Sequence, residues 1–251
     1  MRGLAGDRFI TRCLDVYGEY SRQEWLLLDQ LTKSGMTVVE AGSNIGVHTV
    51  PMARKCAPGL LYAFEPQREI LALLIENLRL NAIHNVKVLP SATGAEVGVA
   101  FVPPLDYGAT NNFGGVSLRS GGDGYEVRVQ PIDDLQLTQC GLLKIDVEGA
   151  ELATLRGAMN TIRRCRPILY VENDRPEHQQ EIISALSEAD YNLYWHAPPI
   201  VDAQNFNNVQ ENVFGQRFIS INMLCLPAER EMIVRNYERI DPQNWRSPKG
   251  R

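Results

Sequence analysis

The sequence predicts an α/β fold, a mostly parallel sheet with helices on both faces. Two observations predict it. Short buried strand patterns alternate with helical patterns from about residue 37 to 195. The helical stretches run ten residues or more, as parallel crossovers require. A third observation refines the picture. The final strand pattern, Ile219 to Leu226, follows its predecessor through a loop without an obvious helix, which favours an antiparallel addition.

The elements follow in order. Thr37 to Glu40 is a short apolar strand entered from Ser34-Gly35. Ile45 to Cys56 reads as a helix, with Pro51 sitting in it awkwardly or kinking it. Leu60 to Phe64 is the second strand. Gln67 to Leu80 is the clearest helix, because Ile70, Leu74 and Leu78 recur every fourth residue. Asn85 to Leu89 is a third strand. The rhythm then breaks over Val97 to Gln130, where short β segments flank a loop rich in Gly, Asn and Pro. Leu142 to Val147 resumes the pattern. Gly149 to Arg164 reads as one helix, Ile168 to Glu172 as a strand, Glu177 to Ala189 as a helix and Tyr191 to Trp195 as a strand.

This divides the chain into an N-terminal helical segment, 1–34, a central domain, 35–226, and a polar tail, 227–251. Loop insertions fall at about 103–125 and 197–215. Residues 1–34 carry Trp25-Leu26-Leu27-Leu28 and Leu31, read as a helix covering the binding site or forming a dimer contact.

Composition narrows the function classes. The chain has 251 residues, 25 Lys+Arg against 30 Asp+Glu, and a formal net charge of −5. Nucleic-acid binding wants clustered positive charge, so no nucleic-acid partner is expected. No apolar run is long enough for a membrane span, and Met1 to Ile10 lack a signal peptide's apolar core. Five widely spaced cysteines without a Cys-x-x-Cys pair read as buried free thiols of a cytoplasmic protein.

Parallel sheets bind ligands at the carboxyl ends of their strands. Glu40-Ala41-Gly42-Ser43-Asn44-Ile45-Gly46 follows the first strand and opens a helix. Gly42 allows close backbone approach and Gly46 tight packing. The dinucleotide pattern needs a glycine where Asn44 stands, so a pyrophosphate fits poorly and a smaller anion fits better. Glu65, in Phe64-Glu65-Pro66, follows 23 positions after Gly42, a spacing suited to accepting hydrogen bonds from a ribose diol. Turn and acid together describe S-adenosylmethionine, which has an amino-acid end and a ribose but no phosphate. Its expected contacts are Glu40, Gly42, Ser43, Asn44, Gly46, His48, Glu65, Pro66, Ser91 and Asp146, with Glu40 facing the ammonium group directly or through water.

The second feature is Leu142 to Glu151. Strand alternation sends Leu143, Ile145 and Val147 to one face and Lys144, Asp146 and Glu148 to the other. Lys144 reads as a structural ion-pair partner and Glu151 as a helix cap. Asp146 is the first candidate base, followed by His196 and Glu172. Glu148, Asn112, Phe113, Asn173, Asn205 and Asn208 are candidate acceptor contacts. Three acids at one rim could hold Mg²⁺ through oxygen ligands, although no divalent metal is expected to be required.

With these residues assembled, the chain resembles FkbM-type S-adenosylmethionine-dependent methyltransferases. The matching pieces are Val39 to Gly46, Ala63 to Pro66, Leu143 to Glu151 and the strand ending at Glu172, over roughly residues 35 to 195. The resemblance implies a class I methyltransferase fold, a Rossmann-like seven-stranded sheet with its last strand antiparallel. It also implies O-methylation of a hydroxyl on a glycan, sugar or natural product. A noncatalytic module binding the cofactor or a partner, and an RNA or protein methyltransferase, are the competing expectations. A nicotinamide oxidoreductase is disfavoured by the missing glycine. A homo-oligomer remains open.

Overall fold

The computed structural model describes residues 1–216 and 218–248. Its main sheet has seven strands: β1 (Val38–Ala41), β2 (Leu61–Phe64), β3 (Val86–Leu89), β7 (Leu142–Ile145), β8 (Ile168–Glu172), β9 (Tyr191–His196) and β10 (Asn222–Pro227). Their spatial order is β3-β2-β1-β7-β8-β10-β9. The first five pair in parallel, while β10 slots antiparallel between β8 and β9. The fold is the expected one, and the order reverses direction between β1 and β7, where such sheets open a binding crevice.

Two helical layers bury the sheet. One face packs Leu143, Ile145, Leu169 and Val171 with α5 (Glu151–Arg156), α6 (Met159–Cys165) and α7 (Pro176–Glu188). The other packs Val38, Leu61 and Leu142 against α2 (Arg22–Leu31), α3 (Thr49–Cys56) and α4 (Arg68–Leu80). Alternation along β7 therefore sends Leu142 and Leu143 to opposite cores.

Three local expectations change. Pro51 is the third residue of α3, which begins only at Thr49. An amide in the first helical turn has no partner inside the helix, so Pro51 costs no hydrogen bond there. The helix expected over 149–164 is broken at Gly157. Its carbonyl accepts from Asp133 N–H, and a Cβ there would lie 2.0 Å from the Gly94 carbonyl oxygen. Asp133 then accepts from the N–H groups of Asn160 and Thr161, capping the new helix from 27 residues away. The tail is less polar in its packing than its sequence. Ile240 is buried, and Trp245 lies against Trp195, 6.0 Å between ring centroids.

The irregular region forms a second, three-stranded sheet, β4 (Ala92–Thr93), β5 (Gly98–Val102) and β6 (Tyr125–Gln130), in the order β4-β6-β5. The N-terminal segment supplies α1 (Ile10–Tyr17) and α2. Leu27, Leu28 and Leu31 of α2 join the sheet core, and Ser21 N–H donates to the Ile200 carbonyl. Among the described residues, no helix is long and apolar enough to cross a membrane.

Candidate active site

The ends of β1, β2, β7 and β8 open into one cavity of about 400 Å³. Its floor is the turn after β1. Gly42 has φ +86, and a Cβ there would lie 1.7 Å from the Asp146 carbonyl oxygen. Only glycine lets β1 and β7 close this tightly. Gly42 and Ser43 donate their N–H groups to the Phe64 carbonyl, which ties the turn to β2. Gly46, φ +90, packs against Leu74 of α4.

Glu65 fastens the turn from its other side. One carboxylate oxygen accepts Asn44 N–H and the other Gln67 N–H, each at 2.9 Å. Burial pushes its carboxyl up to about 7 despite these two donors. Pro66 and Ser91 continue the wall, and the buried Ser91 hydroxyl has no hydrogen-bond partner among the described residues.

Four charged groups meet at β1 and β7. Lys144, only 2% exposed, donates to Asp146 Oδ2 at 2.7 Å. Its Nζ also lies 3.9 Å from Glu24 Oε1, a carboxylate delivered by α2. Glu40 sits beside Lys144 in strand register, and its Oε2 accepts the Thr49 hydroxyl. Burial works against the lysine charge, but Asp146, Glu24 and Glu40 outweigh it and push its pKa up. Burial pushes Glu24 and Glu40 to about 7, with Lys144 opposing the shift in both. His48 is buried against this group. Desolvation, then the nearby lysine, lowers it to about 3, so its imidazole is neutral and its 3.7 Å approach to Glu24 is no ion pair at neutral pH.

A second acidic group lies at β7 and β8. Asp146, Glu148 and Glu172 each bring an oxygen within 4.8 Å of the other two. Burial, then Asp146, pushes Glu148 to about 8 and Glu172 well above the carboxylate range. Arg175 donates to Glu148 at 3.3 Å, and Glu172 Oε2 is buried without a hydrogen-bond partner among the described residues. This set could share a proton, take a proton from a hydroxyl, or ligate a divalent cation through oxygen. Glu151, the first residue of α5, accepts from Gly149 N–H and closes the turn before its helix; its charge stands at the helix start, but it makes no side-chain cap bond.

The cavity is thus lined by the sequence candidates Glu40, Gly42, Ser43, Asn44, His48, Glu65, Pro66, Ser91, Asp146, Glu148, Glu172 and Asn112. Gly46 supports the turn from behind, against Leu74. Five further candidates also lie outside the lining. His196 is buried in the core, where its Nδ1 is 2.8 Å from the Tyr170 hydroxyl and Tyr237 packs on its ring. Burial lowers it to about 4. Phe113 is a core residue stacked on Tyr107. Asn173 is 2% exposed, and its amide donates to Met223 sulfur. Asn205 spends its side chain on its own turn, donating to the Asp202 and Val209 carbonyls and accepting from Val209 N–H. Asn208 is exposed in that turn at φ +55. Asn and Gly shape these loops rather than line the cavity.

The loops instead contribute Val116, Leu118, Ile200, Phe218 and Ile219, and the N-terminal segment contributes Phe9, Ile10, Tyr20 and Glu24. No motif marks the apolar residues. Glu24 did carry a signal, since it stands with Leu27, Leu28 and Leu31 on the buried stripe of α2, where an unpaired acid is out of place.

Comparison with known proteins agrees with this geometry. The Methyltransferase FkbM domain model matches residues 40–193, which carry the turn, Glu65 and, apart from Glu24, both charged groups. The chain belongs to the FkbM methyltransferase family. It is 28% identical over 142 residues to Methyltransferase 1 of Beauveria bassiana, covering 48% of this chain and 57% of that protein. It is 31% identical over 184 residues to Methyltransferase sdnD of Sordaria araneosa, covering 60% of this chain and 71% of that protein. A solved FkbM methyltransferase from Methylobacillus flagellatus shares the fold at TM-score 0.50 and 16% identity, over 77% of this chain and 43% of its own. The FkbM-family chain thus spans little more than half of the Beauveria protein and less than half of the Methylobacillus one.

The family's methyl donor is S-adenosylmethionine, and the cavity fits it. Gly42 keeps the turn closed against β7 at the cavity floor, and Glu65, Ser91 and Glu24 offer buried polar atoms along the rim. When bound, the donor supplies a methyl group on a positively charged sulfur. Gly42, Ser43 and Asn44 would hold its amino-acid end and Glu65 its ribose.

Proposed function

We propose that this FkbM-family chain is an O-methyltransferase, acting on a hydroxyl carried by a natural product or sugar-bearing metabolite with an apolar body. The observation that carries the reading is the acid group Asp146, Glu148 and Glu172, opening into the same cavity as the cofactor turn. A hydroxyl is a weak nucleophile until its proton is taken, and a base within hydrogen-bond reach contributes about 10²–10⁴-fold. Glu172, once ionised, is suited to that task, because its Oε2 is buried and has no donor among the described residues. Asp146 keeps Lys144 in place, and Arg175 steadies Glu148. His196, held in the core, is not part of the proposal.

The acceptor-side lining favours an apolar body over a free glycan. Asn112 is the one amide of the expected sugar contacts that reaches the cavity, while Val116, Leu118, Phe218 and Ile219 line it beside Phe9. A hydroxyl on an apolar scaffold satisfies both walls. The test is incubation with S-adenosylmethionine and matched acceptors: free hexoses, alkyl and aryl glycosides, and simple phenols. Mass spectrometry reads S-adenosylhomocysteine formation, and NMR locates the new methyl group. O-Methylation of the apolar acceptors over free hexoses supports the reading; methyl on nitrogen or carbon sinks it.

A further inference from the structure

We propose that Glu24, delivered by the N-terminal helix α2 from outside the family-matched residues, is the carboxylate that binds the ammonium group of the cofactor's amino-acid end. The proposal rests on the cofactor assignment above and adds a contact that the turn after β1 does not contain.

The open valences single it out. Glu40, the acid expected to face the ammonium, is 1% exposed and spends Oε2 on the Thr49 hydroxyl. Asp146 accepts from Lys144. Glu24 also lines the cavity, its side chain is 4% exposed, and its Oε1 accepts no hydrogen bond from the described residues. A buried carboxylate oxygen without a donor is costly and is retained where a ligand completes it. Lys144 is 3.9 Å away, beyond hydrogen-bond range, and His48 Nδ1 is 3.7 Å away. Neither closes that valence.

The sheet order sets which end of the cofactor this is. Glu65 follows β2 and Ser91 follows β3, so ribose and base belong at that side of the rim. Glu24 stands at the β1–β7 side, beside Lys144 and the Gly42 turn, where the amino-acid end remains. Lys144 has three carboxylates around it, Glu24, Glu40 and Asp146. One further positive charge suits that group better than a fourth negative one. An ammonium provides three donors and a full charge.

The experiment is a cycle between side chain and ligand, read by titration calorimetry on the full chain. The ligands are S-adenosylhomocysteine and its deamino analogue, which keeps the carboxylate and lacks the ammonium. The proteins are wild type and Glu24→Gln. Wild type should bind the deamino analogue about 10–100-fold more weakly, the range of a charged hydrogen bond. In Glu24→Gln the gap should fall below about threefold, mainly through weaker S-adenosylhomocysteine binding. A gap unchanged by the substitution overturns the proposal, because a merely structural Glu24 would weaken both ligands alike. Should Glu24→Gln fail to fold, Glu24→Asp keeps the charge and withdraws it by one methylene. A smaller gap in that variant supports the proposal, and a gap equal to wild type overturns it. If wild type binds neither ligand, the cofactor assignment falls and this inference with it, a result distinct from binding with an unchanged gap.

Discussion

Lys144 Nζ donates to Asp146 Oδ2 at 2.7 Å, so the fully buried cation of β7 is held by the acid at the strand's end. The pair joins the two charge groups of the cavity. Asp146 belongs both to the Lys144 group and to the triad with Glu148 and Glu172. Asp146→Asn should therefore lower turnover by about 10²–10⁴-fold while the chain stays folded. Lys144 keeps Glu24 and Glu40 as partners, which limits the loss of stability. Steady-state rates beside circular dichroism check this, and an unchanged rate would remove Asp146 from the chemistry.

The raised carboxyls give a signed pH effect. Burial lifts Glu24, Glu40 and Glu65 from 4.5 to about 7, and Glu148 to about 8. His48 and His196 are lowered and are neutral above pH 6.5 in the folded state. Between about pH 6.5 and 8 the folded chain then holds more protons than the unfolded chain. Stability from these groups is present at low pH and lost as pH rises through 7 and 8. The melting temperature without ligand should fall over that window. S-Adenosylmethionine, a net cation, should raise it more at pH 8 than at pH 6.5. Differential scanning fluorimetry across the window checks both, and a ligand shift independent of pH contradicts the assignment of these acids to the cofactor.

Gly42→Ala tests the turn. The added Cβ meets a backbone carbonyl at 1.7 Å, and φ +86 disfavours any side chain. Either β1 and β7 separate or the turn rearranges, and cofactor affinity should drop by at least about tenfold, the effect of roughly 1–2 kcal/mol of backbone strain. Gly121→Ala is the control, since nothing lies within 4 Å of a Cβ there. Calorimetry on both variants reads the difference, and equal affinities would show the turn to be tolerant.

Much of this could be read from the chain because its signals are local. The strand alternation at Leu142–Ile145, the spacing of Ile70, Leu74 and Leu78, and the turn from Glu40 to Gly46 depend on neighbours within a few residues. What escaped depends on distant partners. The break at Gly157 is set by Gly94 and Asp133, and the packed tail by Trp195. The sequence places His196 just after a strand, where a rim residue is expected, yet β9 runs through it, antiparallel β10 pairs beside it and Tyr170 and Tyr237 enclose it. Asn205 and Asn208 looked like sugar contacts, but side-chain amides also build turns, and sequence does not separate the two uses.

His196→Phe separates those uses for the histidine. The substitution leaves the buried Tyr170 hydroxyl without its partner, a cost of about 1–3 kcal/mol. At about 2–4 °C per kcal/mol for a chain of this size, the melting temperature should fall by several degrees. Turnover below the transition should stay within about twofold, because the imidazole touches neither acid group nor cavity wall. A collapse of turnover in a folded variant would restore His196 as a base.

Phe218 tests the acceptor wall. Its ring meets Phe9 edge-on at 5.1 Å between centroids, and both line the cavity. The two come from opposite ends of the chain, so the wall exists only when the N-terminal segment and the loop before β10 are packed together. Phe218→Ala removes one side of that aromatic pair and leaves the charge groups at β1, β7 and β8 untouched. An apolar acceptor should then show KM raised by about tenfold, as the loss of roughly 1.5 kcal/mol of aromatic contact requires. Cofactor affinity should not move, because Phe218 lies among the loop residues rather than at the Gly42 turn or beside Glu65. A fall in kcat with KM unchanged would instead make the ring a shield of the reacting groups, and a loss of cofactor affinity would mean that the wall reads the donor rather than the acceptor.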